Sequence, residues 1–407
     1  MTAPGGPRIA AAARGPSGLV YVVWELTLRC DHACNHCGSR AGKARDDELS
    51  TDEALDVVKQ LAAMGAFEVT LIGGEAYLRD DWHVIAAAIV NAGMRCTMTT
   101  GGRGLTREHV EAAKAAGIGS ISVSVDGHAP AHDTLRGIAG SFDSALAAIR
   151  RVRDGGVAAS VNTQINRLSF PDLDALLDLW IELKIGGWQM QLTVPMGRAA
   201  EHPDWLMQPY ELAFVYPKLA DLATRGARHG VRFWPANNIG YYGPYEALLR
   251  GRGVEGDAVW SGCVAGKHAL GLESNGAVKG CPSLPTDSYT GGNVRERGIL
   301  DLWEHTRELR FRRDASTDDL WGFCRSCYYA DACHAGCTWT SHVILGRPGN
   351  NPYCHHRTLD FARRGLRARL VQVECAPGVP FDHGRFDIVV EPIDAPIDVG
   401  PRRLPVV

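Results

Sequence analysis

The sequence is as informative for what it lacks as for what it holds. No apolar run approaches the roughly 20 residues of a membrane-spanning helix. Net charge over the 407 residues is only -3, so no basic footprint for a nucleic acid is present. A secretory signal is missing too. The first eighteen residues carry Gly, Pro, Ala and two Arg but no long apolar core or clear processing site, and read as a loose tail. Hydrophobic residues make up 45% and charged residues 22%, as in a soluble globular chain, and the length predicts two or three domains. Against these absences stand twelve cysteines. Without a secretion signal they point to metal binding in a reducing cytoplasm rather than to disulfides.

Three of the cysteines lie in one short stretch, Cys30-Asp-His-Ala-Cys34-Asn-His-Cys37, directly after the apolar run Tyr21–Leu28. Three thiols cannot all pair with one another. A zinc site would need a fourth ligand, which His32 or His36 could supply. A four-iron, four-sulfur cluster usually takes four cysteines, so a loop offering three leaves one iron open to another ligand. The spacing Cys-x3-Cys-x2-Cys after a first strand resembles that of the radical S-adenosylmethionine (SAM) enzymes. The resemblance implies that the open iron chelates SAM and that an electron from the cluster cleaves it to a 5′-deoxyadenosyl radical.

Apolar runs alternate with amphipathic patterns as far as about residue 226. Tyr21–Leu28, Phe67–Ile72, Arg95–Thr99, Ser120–Val125, Ala158–Ile165 and Trp188–Val194 read as strands. Thr51–Met64, with Ser50 as N-cap, Asp81–Asn91, Arg107–Ala116, Ser141–Asp154, Pro171–Leu183 and Pro209–Thr224 read as helices. Strand–helix repeats with short links predict a parallel sheet. Six units are too few for a closed eight-strand barrel. The expected fold is α/β, a partial (β/α)6 TIM-like barrel, as the resemblance also implies.

Chemistry in such barrels sits at the C-terminal strand ends. The cysteine loop follows the first strand, Gly73-Gly74-Glu75 the second, and Thr99-Thr100-Gly101-Gly102 the third. Ser124 and Asp126 close the fourth, and Gln164 and Asn166 the fifth. Glycines after a strand form turns and also let a backbone approach a ligand closely. The family resemblance makes Gly73, Gly74 and Glu75 the group that holds the SAM amino group. It makes Ser124 a ribose contact and Arg136 a partner of the SAM carboxylate. Thr100, Asp126 and Gln164 complete the expected SAM set. Asp126 reads equally as a turn-former before Gly127, Arg136 as one half of a surface ion pair, and Gln164 as an ordinary strand-end polar residue.

From Cys263 seven cysteines fall in a pattern of their own: Cys263, Cys281, Cys324, Cys327, Cys333, Cys337 and Cys354. One zinc ion cannot use seven thiolates. The pattern is similar to the SPASM extension of radical SAM enzymes, which binds two auxiliary four-iron clusters. With the barrel, the resemblance spans about residues 20–360. It implies an outer cluster on Cys324, Cys327, Cys333 and Cys354, and an inner one on Cys263, Cys281 and Cys337. The inner cluster is then one ligand short, with an open iron or a non-cysteine ligand such as Asp257 or the substrate itself. Cys96 reads as a small buried hydrophobe. Cys375 is a lone thiol that could donate a hydrogen atom, as in peptide epimerases, or be inert.

The expected organisation is a flexible tail over 1–19, the barrel over 20–226, a linker and substrate loop over 227–262, the SPASM domain over 263–360, and a C-terminal helix and tail over 361–407. The final stretch could also form a hairpin packed on the barrel. Aromatics among Gly, Asn and Pro in the 227–262 stretch make Asn238, Tyr241, Tyr242 and Tyr245 candidate substrate contacts, or else parts of a packed connector.

The resemblance implies an enzyme with SAM and three four-iron clusters that abstracts a hydrogen atom from a ribosomally made precursor peptide, forming a thioether or carbon–carbon cross-link or inverting a stereocentre. About twenty residues precede the first strand, too few for the leader-binding domain many such enzymes carry. A separate leader-recognition protein, or direct leader binding, is expected, with a flavodoxin- or ferredoxin-type electron donor. Neither nucleic acid nor membrane is an expected partner. The alternatives are oxidation of a protein side chain of the formylglycine type, action on a small-molecule or cofactor precursor, and a non-catalytic electron-transfer protein.

Overall fold

The computed structural model describes residues 17–251 and 258–396. Asp257, considered as a cluster ligand, lies outside the described residues, as do most of the N-terminal tail and the last part of the C-terminal stretch.

One ten-stranded sheet organises the molecule. Its strands are β1 (Tyr21–Glu25), β2 (Glu68–Ile72), β3 (Arg95–Thr100), β4 (Ser120–Ser124), β5 (Ala158–Ile165), β6 (Gly187–Leu192), β7 (Arg232–Pro235), β8 (Ala269–Leu272), β9 (Ala277–Lys279) and β10 (Thr290–Asn293). Their order is β10-β9-β8-β1-β2-β3-β4-β5-β6-β7. From β8 to β7 every neighbouring pair is parallel; β9 and β10 extend the sheet antiparallel beyond β8. Among the described residues the sheet does not close, since β7 pairs with β6 alone.

The helices α1 (Thr51–Ala63), α2 (Trp82–Asn91), α3 (Arg107–Ala115), α4 (Ala129–Arg136), α5 (Ser141–Asp154), α6 (Leu173–Glu182) and α7 (Leu212–Arg228) link the strands. Local chemistry sets their ends and faces. Ser50 Oγ accepts from Glu53 N at 3.3 Å, and the Glu53 carboxylate accepts from Ser50 N at 2.8 Å, a complete capping box. Ala54, Val57, Val58 and Leu61 then recur at helical spacing and bury one face of α1 against the sheet.

Three features depart from expectation. Helix α4 was not foreseen. Strand β7 falls in the stretch read as a linker and lengthens the barrel by one strand. Over residues 361–396 the hairpin that was the alternative reading replaces the expected helix and tail: the helix His355–Arg363 ends near the start of the stretch, and β11 (Leu366–Glu374) pairs antiparallel with β12 (Arg385–Pro392). The hairpin is docked by Leu370 N to Gln208 Oε1 (2.7 Å) and Gln372 Nε2 to the Ala200 carbonyl (3.1 Å). Its connecting loop reaches the end of the barrel, where Asp382 accepts from Arg40 Nε at 2.9 Å and its carbonyl accepts from Gly197 N at 2.8 Å. Among the described residues no helix is long and apolar enough to cross a membrane.

Candidate active site and metal centres

The loop between β1 and α1 carries Cys30, Cys34 and Cys37. Its backbone is tied by Gly42 N to the Leu28 carbonyl (2.9 Å) and Cys30 N to the Gly42 carbonyl (3.1 Å). Arg198, arriving after β6, donates to the carbonyls of Cys34 (2.6 Å) and Ala41 (3.1 Å). No local sequence signal marked Arg198 for this clamp. Burial pushes the Cys34 thiol up to about 11, against the neighbouring Arg136 guanidinium that lowers it, and pushes Cys30 up further. Such thiols would be inert unless a metal held their thiolates.

The two histidines of the loop differ. Both nitrogens of His36 are engaged, Nδ1 with the Leu135 carbonyl (2.8 Å) and Nε2 with Asp126 Oδ2 (3.0 Å), so His36 is spent on the protein and does not serve a zinc ion. His32 is 6% exposed, and neither of its ring nitrogens has a partner. Burial, and next the Arg136 charge, pull its pKa down to about 4.

Gly73 and Gly74 seat the Gly-Gly-Glu turn directly on the cysteine loop. A Cβ on Gly73 would lie 2.4 Å from the Thr27 carbonyl oxygen, and one on Gly74 2.1 Å from that of Arg29. Close backbone contact, locked by Gly74 N to Thr27 O and Glu75 N to Arg29 O (both 2.8 Å), therefore requires these glycines. Glu75 is fully buried. Burial pushes its carboxyl up to about 8, although Thr100 Oγ1 (2.5 Å) and Gly101 N (2.6 Å) donate to it and pull the other way. Ligand atoms of Cys30, Asp31 and Glu75 lie within 4.8 Å of one another. A buried acid beside the thiols, poised near neutrality, suits a cationic group.

Asp126 sits at the centre of a buried network. Its Oδ2 accepts from Arg136 Nη2 (2.6 Å) as well as meeting His36, and its Oδ1 accepts from Gln164 N (2.7 Å). Burial raises its pKa, but Arg136 and then His36 outweigh this and hold it well below the usual carboxylate range. With both oxygens engaged, Asp126 ties the cysteine loop to Arg136 and to the end of β5. Arg136 is 9% exposed, so the surface ion pair considered for it is excluded. It points Nη1 at Cys34 Sγ (3.7 Å) and keeps Nε buried without a partner. Ser124 is buried at the end of β4, and Gln164 half-buried at the end of β5; among the described residues neither side chain makes a hydrogen bond. Asn166 instead caps its own turn through Leu168 N and Ser169 N.

The second set of cysteines forms two groups. Cys324, Cys327, Cys333 and Cys354 line one cavity, together with Tyr241, Tyr242, Phe323 and Tyr329. Cys263 and Cys337 are buried with Trp260, Leu284 and Tyr289, and Cys281 packs against them. Burial pushes the Cys337 thiol up to about 12, and the charges of Cys263 and Cys281 push it further the same way. Apart from Cys30, Asp31 and Glu75, no three His, Cys or acidic ligand atoms among the described residues come within 4.8 Å of one another. A tetrahedral zinc bound by thiolates needs sulfurs about 3.8 Å apart. The thiol sets are too open for single zinc ions, and three or four thiolates are the ligand number that an iron–sulfur cluster takes.

The loop proposed for substrate is packed, not open. Asn238 is 1% exposed and clasps the Leu192 backbone: its Oδ1 accepts from Leu192 N (3.1 Å) and its Nδ2 donates to the Leu192 carbonyl (2.7 Å). Tyr241 is buried with φ of 80°, accepts from Cys337 N at 3.1 Å and meets Trp260 edge-on. Tyr242 stacks on Tyr329, and Tyr245 stacks on His355. Tyr241, Tyr242 and Tyr245 join the barrel to the cysteine-rich region and Asn238 packs within the barrel, contacts that fit the packed-connector reading of this stretch. Cys96 is buried in β3, while Cys375 is exposed at the start of the hairpin loop.

A three-thiol loop at the strand ends of an open parallel barrel, followed by seven more thiols in two groups, defines an iron–sulfur enzyme of the radical SAM type. The family description "Radical SAM superfamily" matches residues 24–175, and "Iron-sulfur cluster-binding domain" (SPASM) matches residues 263–328. The AdoMet-dependent heme synthase of Methanosarcina barkeri is 32% identical over 83% of this chain and 96% of its own. The mycofactocin maturase MftC of Mycobacterium tuberculosis is 28% identical over 100% of this chain and 98% of its own. Streptococcus suis SuiB, solved bound to its precursor peptide SuiA, shares the fold with a TM-score of 0.63 at 17% identity, over 82% of this chain and 75% of its own. The chain belongs to the radical SAM enzymes with a SPASM domain.

Proposed function

We propose that this enzyme is a maturase of a ribosomally made precursor peptide, carrying three four-iron clusters and using SAM to abstract a hydrogen atom and form a cross-link or invert a stereocentre. With SAM bound, the first cluster supplies a 5′-deoxyadenosyl radical. The chain's own residues do the positioning. Cys30, Cys34 and Cys37 hold the cluster and leave one iron open. Glu75, with Gly73 and Gly74 fixing its turn, takes the SAM amino group. Arg136 offers its free Nε toward the carboxylate, and Ser124 and Gln164 offer unused polar groups at the rim, with Thr100 orienting Glu75. Cys324, Cys327, Cys333 and Cys354 would hold the outer cluster, and Cys263, Cys281 and Cys337 the inner one, whose remaining ligand would not be a cysteine. A flavodoxin- or ferredoxin-type donor and a leader-recognition protein complete the scheme.

The observation that carries the peptide reading is the correspondence with the mycofactocin maturase over the whole chain, including the C-terminal hairpin. The fold shared with SuiB, solved with a precursor peptide, supports it. The 32% identity to the AdoMet-dependent heme synthase of Methanosarcina barkeri favours a second reading, a porphyrin-type cofactor precursor as substrate. The anaerobically reconstituted enzyme, given reductant, SAM and either a candidate precursor peptide or an iron porphyrin, separates the two. The peptide reading expects 5′-deoxyadenosine together with loss of a pair of hydrogens from the peptide, or altered stereochemistry at unchanged mass. Turnover with the porphyrin alone would replace it.

A further inference from the structure

Arg357 lies two residues into the helix His355–Arg363, three positions after Cys354. It is 4% exposed. Its guanidinium carbon is 5.4 Å from the centroid of Phe323 and 5.3 Å from that of Phe361. Nη1 donates to Asn350 Oδ1 (3.0 Å) and to the Asn351 carbonyl (3.4 Å), while Nε is buried without a partner. Among the described residues no carboxylate forms an ion pair with it. Two of the residues it touches, Phe323 and Asn351, line the cavity that holds Cys324, Cys327, Cys333 and Cys354. An isolated buried cation is costly, and arginine does not shed its proton.

The backbone points the same way. Arg357 N donates to Cys354 Sγ at 3.5 Å, so this sulfur caps the helix N-terminus, where the dipole is positive. Four thiolates around a four-iron, four-sulfur core leave a net negative charge, and one-electron reduction deepens it. Charge and hydrogen bonds around the sulfurs are the levers that set such potentials.

We propose that Arg357 is the counter-charge of the outer auxiliary cluster and raises its reduction potential, so that this cluster accepts an electron more readily. The inference rests on the outer cluster being held by Cys324, Cys327, Cys333 and Cys354. Removing the charge stabilises the oxidised form relative to the reduced one.

The test is a dithionite titration with redox mediators, followed by electron paramagnetic resonance of the full-length reconstituted protein. The outer-cluster signal is the one that disappears in Cys327→Ala. Arg357→Gln is expected to keep that signal and lower its midpoint by about 59 mV, a tenfold change in the reduced-to-oxidised ratio of a one-electron couple. Arg357→Lys is expected to stay near the parent. Asn350→Asp, which sets a carboxylate against the guanidinium without changing side-chain shape, is expected to shift the midpoint the same way and decides the matter if Arg357→Gln fails to load the cluster. An unchanged midpoint in the variants that load, or loss of the cluster from both Arg357→Gln and Asn350→Asp, would overturn the proposal. A parent protein whose spectra lose nothing in Cys327→Ala would instead overturn the ligand assignment beneath it.

Discussion

Oδ2 of Asp126 lies 3.0 Å from Nε2 of His36, so the end of β4 grips the cysteine loop through a buried bond. The same oxygen takes the Arg136 guanidinium. The loop's shape therefore depends on a carboxylate that lies 90 positions away from it in the chain.

Replacing Asp126 with Asn leaves Arg136 buried without its counter-ion. Loss of one partner of a buried pair costs about 3–5 kcal/mol. A lower urea midpoint and reduced iron content of the SAM-binding cluster are expected. An unchanged midpoint would show that the network is not holding the loop.

Gly74→Ala tests the seating of the Gly-Gly-Glu turn. Its new Cβ would meet the Arg29 carbonyl oxygen at 2.1 Å, and backbone cannot yield as a side chain would. Overpacking of this kind costs about 1–3 kcal/mol. Weaker SAM binding by calorimetry and a lower melting temperature are expected, with the seven SPASM cysteines still loaded.

Changing Cys30, Cys34 or Cys37 to Ala is expected to abolish 5′-deoxyadenosine formation while auxiliary iron remains. Chemical iron analysis and product chromatography on the same sample check both halves.

Changing Cys354 to Ala removes both a proposed cluster ligand and the acceptor that caps the helix His355–Arg363. Metal binding and folding are coupled in such regions. Lost iron and poor solubility are expected together, and a soluble variant with full iron would contradict the ligand assignment.

Asp382→Ala frees Arg40 Nε and the turn N–H groups of Gly378 and Val379, which donate to the same carboxylate at 2.5 and 3.0 Å. Faster amide exchange confined to the hairpin loop is expected.

Much of the barrel was legible because its signals are local. Ala158–Ile165 and Ser141–Asp154 have the observed ends of β5 and α5, since β-rich and amphipathic periodicity act within one element. Strand β7 escaped because Arg-Phe-Trp-Pro is four residues long and ends in proline, with no alternation to read. Asp126 looked like a turn residue because its partners lie 10, 38 and 90 positions away. Tyr241 and Tyr242 read as ligand contacts or as parts of a connector, because aromatics among glycines describe both; the burial of Tyr241 and the stacking of Tyr242 on Tyr329, which composition does not reveal, fit the connector. The cysteine groups were legible by resemblance, but Arg357 was not, since only the folded chain brings Phe323 and Asn350 to it.

The sheet has one further consequence. Strand β1, which leads into the three-thiol loop, lies between β2 and β8, and Ser274 just past β8 reaches Glu25 across 249 positions. As the nascent chain leaves the ribosome, β1 has a neighbour on one flank only until most of the polypeptide has been synthesised. Iron delivered before that moment would meet a loop whose supporting strand is still bordered on one side only.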